Sequence, residues 1–506
     1  MILKRLARFP IYFSVFSLVV LYLGYSQNFW GALDHESKGD RYYPFLKTYN
    51  KLKADEVENG SIEADVPALQ NIMEDFPTFD RYSECLVLGR LVKSRRDGLL
   101  SSGGFTGNFT DIPNLRALGN YGYNSPAIFL YQVYQYKIYL DDSLDNEIGQ
   151  FHTYRSQPGG QSFVLGVLDK IIPGNNTFKL GFYYNLMALF TTLAIFLIIF
   201  WFYKEFGILT GLLLVFSFAL FRYPTLYAKS LWWVIWALYI PFLLILYSHY
   251  REDASKRKLS LPALFLLGFT GMSFKIFLNG YEFISATVLM TVTPVVYYAI
   301  KNEWGFIRFS KRITAVGGGI FVSIIIFFVV ISLQSVLAGD TFSDGIDHIY
   351  DSFLRRTYRT EFSESISDYK FAYEITKHYI LNSPALEISH MGINLRIGVK
   401  IFLLISAILS AIWIILIRGF KLKARRRIIS ALIVTLWFST LAPISWFMIF
   451  SQHSMIHSLQ DPVVWFMPYM FYCIGLIGFT LAVGLDGILG ICKNVYSDRF
   501  LKGGSA

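Results

Sequence analysis

Cysteine is nearly missing from this chain: three among 506 residues, Cys85, Cys473 and Cys492. At most one of them lies outside the apolar runs and the cytoplasmic tail described below, which excludes a disulfide framework. Charge is thin as well, 16% of residues against 54% hydrophobic and 18% aromatic. Soluble domains carry roughly 25% charged residues, so this chain lacks the polar surface to wrap a core of its size. An ordinary soluble protein is excluded, and the solvent is lipid. Nucleotide and zinc-protease signatures are missing too: no Walker A loop, no Gly-x-Gly-x-x-Gly fingerprint and no His-Glu-x-x-His. Nucleotide-driven transport, dinucleotide redox chemistry and zinc proteolysis thereby lose their usual basis.

Long apolar runs are what the chain has in abundance. Crossing ~30 Å of hydrocarbon takes about 20 helical residues, and ten runs approach that length. They are Ile11 to Trp30, Gly181 to Tyr203, Gly207 to Phe221, Leu231 to Tyr247 and Leu261 to Leu278, followed by Phe283 to Ile300, Ala315 to Leu337, Ile397 to Ile417, Ile428 to Phe450 and Val463 to Leu485. The third is short. The first follows Lys4, Arg5 and Arg8 as a signal peptide would, but it has no small-x-small cleavage site and ends in Gln-Asn-Phe-Trp, so it reads as a retained helix. The expected fold is an all-α polytopic membrane protein with about ten transmembrane helices.

The formal charge of +10 comes from 46 basic and 36 acidic residues. Its location identifies its role. With a cytoplasmic N-terminus, Lys4, Arg5 and Arg8, Lys204, Arg251 with Lys256 to Lys258, Lys301 with Arg308 to Arg312, and Arg418 with Arg425 to Arg427 all fall in alternate loops. That is the positive-inside pattern, so both termini are expected in the cytoplasm and nucleic acid is a poor alternative. A multi-pass protein is expected, placed by its Lys-, Ile- and Phe-rich composition in a bacterial plasma or inner membrane, with the endoplasmic reticulum as the alternative.

This topology divides the chain into residues 1–30 (tail and first helix), 31–180 (an exported loop domain), 181–338 (helices two to seven), 339–396 (a second exported segment) and 397–506 (three helices and a tail). Amphipathic stretches at Ser125 to Leu140 and Ser162 to Ile172 suit helices lying on the membrane surface. The Gly-rich stretch Ser101 to Gly107 reads as a mobile loop.

Chemistry concentrates in four places. Asp34, Glu36 and Asp40 follow the first helix, where a carboxylate can deprotonate an acceptor, and Tyr42 beside Asp40 offers a ring to stack on a sugar. At the far end of the first exported segment, Arg155, Gln157 and Gln161 provide donors for phosphate or sugar oxygens. Lys275 sits near the outer end of its helix, where ionisable groups are functional candidates, with Glu282 as its nearest structural partner. His453 and His457, four residues apart, can share a helix face toward a substrate. As metal ligands they lack a third partner unless Asp461 completes them, so no metal or other cofactor is assigned, although a divalent cation is compatible. Arg355, Arg356 and Arg359 can clamp phosphate or form a charged loop face.

Taken in order, these parts resemble the polytopic GT-C glycosyltransferases, in particular the family of dolichyl-phosphate-mannose protein mannosyltransferases and bacterial aminoarabinose transferases. The likeness rests on the acid after the first helix (Asp34, Glu36 or Asp40 in Gly39-Asp40-Arg41-Tyr42-Tyr43), the Gln157-Pro158-Gly159-Gly160-Gln161 turn before a surface helix, and Lys275 late in a later helix. The resemblance implies a GT-C-like helical fold with an exported active site. It also implies a polyprenyl-phosphate-linked sugar as donor and a glycan, lipid or protein as acceptor. The acid would align or deprotonate the acceptor, and basic groups would stabilise the departing lipid phosphate. The alternatives are a polymerase or ligase of lipid-linked oligosaccharide, and a transporter or flippase. The latter would need several buried charges in its spans, where the sequence offers Lys275 and little else.

Overall fold

The computed structural model describes residues 2–29, 81–110, 135–136, 138–141, 149–255, 258–357, 368–390, 393–417, 423–457 and 460–502. Seven helical segments among them are long and apolar enough to cross a bilayer. Two shorter apolar helices, Ile208–Leu220 and Tyr469–Leu485, accompany them. The chain is a multi-pass helical membrane protein.

The first span lies in helix α1 (Ile2–Gln27), which packs its Phe13 ring on Tyr203 at 4.3 Å. Beyond it come α2 (Arg81–Asp97), strand β1 (Thr106–Thr110), strand β2 (Gln150–Tyr154) and α3 (Gly160–Ile171). The strands pair antiparallel, Thr106 opposite Tyr154, although far apart in the chain. Helix α4 (Asn176–Phe206) starts five residues before the apolar run because Asn175 caps it, its side chain accepting from the Phe178 amide at 2.8 Å. Its 31 residues reach roughly 46 Å.

Helices α5 (Ile208–Leu220) and α6 (Arg222–Tyr227) follow. The 13 residues of α5 reach only about 20 Å, too short to cross alone. Next are α7 (Ile235–Ser255), α8 (Leu261–Asn279), α9 (Ile284–Lys301) and α10 (Phe306–Leu337). The apolar run from Leu231 is helical only from Ile235, and its helix continues into a charged tail. The second loop region holds α11 (Phe342–Thr357), α12 (Asp368–Asn382) and a second antiparallel strand pair, β3 (Pro384–His390) with β4 (Ile393–Gly398). Last come α13 (Val399–Ile417), α14 (Lys423–Ser439), α15 (Leu441–Ile449), α16 (Ser451–Ile456) and α17 (Tyr469–Lys502). The two strand pairs are additions to the all-helical expectation, and both lie in the loop regions.

Packing gathers the polar residues at two ends of the bundle. At one end Glu205 accepts from Tyr297 and Lys301, Lys301 also meets Asp253 at 3.1 Å, and Arg312 binds Glu252 through two bonds of 2.6 and 2.7 Å. Arg308 and Arg312 flank the Trp304 ring at 4.6 and 4.4 Å, and Arg427 pairs with Glu303. The expected cytoplasmic loops after Tyr203, Tyr247 and Ile300 therefore meet here, with the Arg427 loop beside them. Several of their cations are paired rather than merely solvated.

The other end carries the strand pairs and loop-region helices. There Gln334, in the last turn of α10, donates its amide to the carbonyls of Gly103 and Pro158, both at 3.0 Å. Gly103 has φ +67°, and a Cβ on it would lie 2.1 Å from the Gln334 carbonyl oxygen. The stretch from Ser101 is thus a buried turn leading into β1, not an open loop, because glycine lets its backbone press against α10.

Candidate functional site

At this second end, side chains from six separate segments converge around Glu282, in the turn between α8 and α9. The turn is built on Gly280, whose φ of +58° and closeness to Gln157, 2.4 Å from where a Cβ would stand, admit no larger residue. Lys275, wholly buried, donates its ammonium to the carbonyls of Gly280 at 2.8 Å and Glu282 at 2.5 Å. It thereby satisfies carbonyls left open where α8 ends. The expected Lys275–Glu282 side-chain pair is not what forms: the lysine holds the backbone of Glu282 and leaves its carboxylate to others.

That carboxylate is taken by Arg356, near the end of α11, at 2.9 Å from Glu282 Oε1. Arg356 also donates to the Tyr154 hydroxyl at 3.4 Å, and the Tyr154 ring meets Trp232 edge-on. Glu282 Oε2 faces His453 Nε2 at 3.5 Å, and the other ring nitrogen of His453 faces Asp461 Oδ2 at 3.5 Å. One imidazole thus bridges two buried carboxylates. Asp461 Oδ2 accepts in addition from Ser454 Oγ at 2.6 Å and Trp446 Nε1 at 2.7 Å. Glu282 Oε2 and Asp461 Oδ1 make no hydrogen bond among the described residues.

Electrostatics keep both acids ionised. Burial pushes the Glu282 carboxyl up, but Arg356, His453, His457 and Lys275 together hold it below the ordinary carboxylate value. For Asp461 burial raises, while His453, His457 and the Ser454 hydroxyl more than offset it. Arg356 shows the reciprocal effect: burial lowers its guanidinium, and Glu282 with Tyr154 carries it above its usual value.

Gln157 and Gln161, buried at the start of α3, are held close to this turn. Gly160 lets α3 approach the Phe277 carbonyl of α8. The Gln157 Nε2 and both amide atoms of Gln161 have no partner among the described residues. Buried amides in that state are open to water or to a ligand. Arg155 is engaged elsewhere, in an ion pair with Asp340 at 2.7 Å and a bond to the Thr153 hydroxyl. The His457 ring lies tilted by 39° against His453, with ring centres 4.3 Å apart. Asp34, Glu36, Asp40 and Tyr42 lie outside the described residues.

Sequence reasoning thus found Lys275, Glu282, His453, Gln157 and Gln161 without foreseeing that they meet. It weighed Arg356 only within a run of arginines and Asp461 only as a metal ligand. The signal for Asp461 was there: an acid wedged between two apolar runs needs internal partners. Among the described residues no three His, Cys, Asp or Glu side chains are grouped to hold a metal ion.

The fold and this buried cluster define the chain as a polytopic helical membrane protein with an ionised site at one end of its bundle. Comparisons with known protein families, with curated proteins and with solved structures return no match.

Proposed function

We propose that the protein is a membrane glycosyltransferase that moves a sugar from a polyprenyl-phosphate carrier to a glycan, lipid or protein acceptor at the Glu282 end of the bundle. The observation that carries this reading is the arrangement Arg356–Glu282–His453–Asp461. It joins a guanidinium, two ionised carboxylates and a bridging imidazole in a largely buried setting, with Asp461 Oδ1 left without a hydrogen bond among the described residues. Sugar transfer needs these parts. The acceptor hydroxyl attacks the anomeric carbon, its proton passes to a carboxylate oxygen, and the bond between that carbon and the phosphate oxygen breaks, its electron pair leaving on the lipid phosphate. Arg356, with the His453 ring beside it, suits the charge that grows on the phosphate, and the orphaned amides of Gln157 and Gln161 suit sugar hydroxyls.

In this reading Lys275 positions the turn that presents Glu282. The residues Asp34, Glu36 and Asp40 stay as candidate acceptor bases from the exported segment. The basic end of the bundle is cytoplasmic by the positive-inside rule, and the Glu282 cluster is then extracytoplasmic.

The test is incubation of the purified chain in nanodiscs with a panel of radiolabelled polyprenyl-phosphate sugars and membrane or cell-wall acceptors. Label is expected in the acceptor fraction with one donor, and none with Glu282→Gln or Asp461→Asn. No transfer from any donor, together with flux of a lipid-linked sugar across liposomes, would replace this reading with transport.

A further inference from the structure

Helix α11 has three distinct faces. At 3.6 residues per turn, Gly345, Ser352 and Arg356 fall on one face, against the protein. Gly345 packs on Ser332 of α10, Ser352 lies 3.5 Å from Ser156, and Arg356 meets Glu282. A second face carries Phe342, Ile346, Tyr350 and Phe353, all large and all exposed, at 40, 49, 60 and 44%. The third carries Asp344, Asp347 and Asp351, also exposed.

An apolar stripe beside an acidic one, on a helix only half covered by its own protein, is the pattern of a helix lying in an interface. What covers the stripe follows from its neighbour. Helix α10 ends four residues before α11 begins and shows an outward row of Phe321, Ile325, Val329, Leu333 and Leu337, all exposed. On a membrane-spanning helix such a row faces acyl chains. The row of α10 continues into Phe342 through a short turn, so the lipid-facing surface of the bundle runs onto α11.

We propose that α11 is seated on the bilayer surface at this end, its apolar stripe in the boundary between headgroups and acyl chains and its aspartates toward water. The partner is the lipid surface itself. Because the same helix carries Arg356, its seating on lipid holds the guanidinium against Glu282, and lifting it would withdraw the cation from the cluster.

Two labels on the full chain, with Cys492→Ser to leave only the buried Cys85 and Cys473, separate the faces. Ile346→Cys and Asp347→Cys, each carrying an environment-sensitive fluorophore, are compared in phosphatidylcholine nanodiscs with and without spin-labelled lipid. Quenching at 346 with little at 347 is expected. No quenching at 346, or equal quenching at both, overturns the proposal, as does protection of 346 that depends on protein concentration, which would mean a second copy covers the stripe. The coupling is read at Ser352→Cys, under the helix, with a membrane-impermeant maleimide. Slow labelling in nanodiscs is expected to accelerate several-fold with Ile346→Asp plus Phe353→Asp, and less with the milder Tyr350→Ser, which does not rely on the double variant folding. An unchanged rate in both backgrounds overturns the link between lipid and Arg356.

Discussion

Arg356 and Glu282 show how a buried ion pair behaves when one partner goes. Removing one member of such a pair leaves an uncompensated charge, at roughly 3–5 kcal/mol. Arg356→Met should fall at the lower end of that range, because 17% of its side chain reaches solvent. Thermal unfolding in nanodiscs measures it, with Glu282→Gln in the same background expected to recover part of the loss. The acids also set a pH dependence. Both have folded pKa values below the ordinary ones of 4.5 for Glu and 3.8 for Asp. Their contribution is therefore complete above the ordinary values and disappears as pH falls through the lower, folded ones. Stability followed from pH 7 downward should drop below about pH 4.5, and Glu282→Gln with Asp461→Asn should flatten that drop. An equal acid drop in the double variant would mean other carboxylates govern it.

Among the elements, the junction of α3 with the end of α8 decides whether the cluster assembles. Gly280 and Gly160 are its two points of closest approach, one beside Gln157 and one beside the Phe277 carbonyl. A methyl group at either must displace backbone or a rigid neighbour, and at Gly280 the positive φ adds strain. Gly280→Ala should destabilise by roughly 1–3 kcal/mol and also loosen the carbonyl that Lys275 holds. Lys275→Ala should act on the same turn without a clash, leaving insertion intact while lowering transfer, read as label in the acceptor fraction. If Lys275→Ala transfers at the normal rate while Gly280→Ala does not, the lysine is only a helix-end cap.

For the molecule as a whole, the polar ends are its organising feature: paired basic loops at one, the Glu282 cluster with both strand pairs at the other. Placing the basic end in the cytoplasm makes a direct prediction. In intact cells Asp347→Cys should react with an impermeant maleimide from outside, and Ser255→Cys only after permeabilisation. The opposite result would invert the topology and move the cluster to the cytosolic side.

Hydropathy alone revealed the membrane class and most span positions, because a helix in lipid must be apolar over its whole crossing length whatever surrounds it. It showed neither the turn before α7 nor the break between α14 and α15, since turns inside apolar stretches leave no change in hydropathy. Lys275, Glu282 and His453 were visible as polar residues that an apolar setting has to accommodate. Their meeting was not. Glu282 lies 74 residues from Arg356 in the chain, and nothing local in either segment encodes that pairing. Only the packing of α3, α8, α11 and α16 at one end of the bundle turned scattered polar residues into a single charged cluster, and it alone gave the carboxylate to Arg356 rather than to the nearer Lys275.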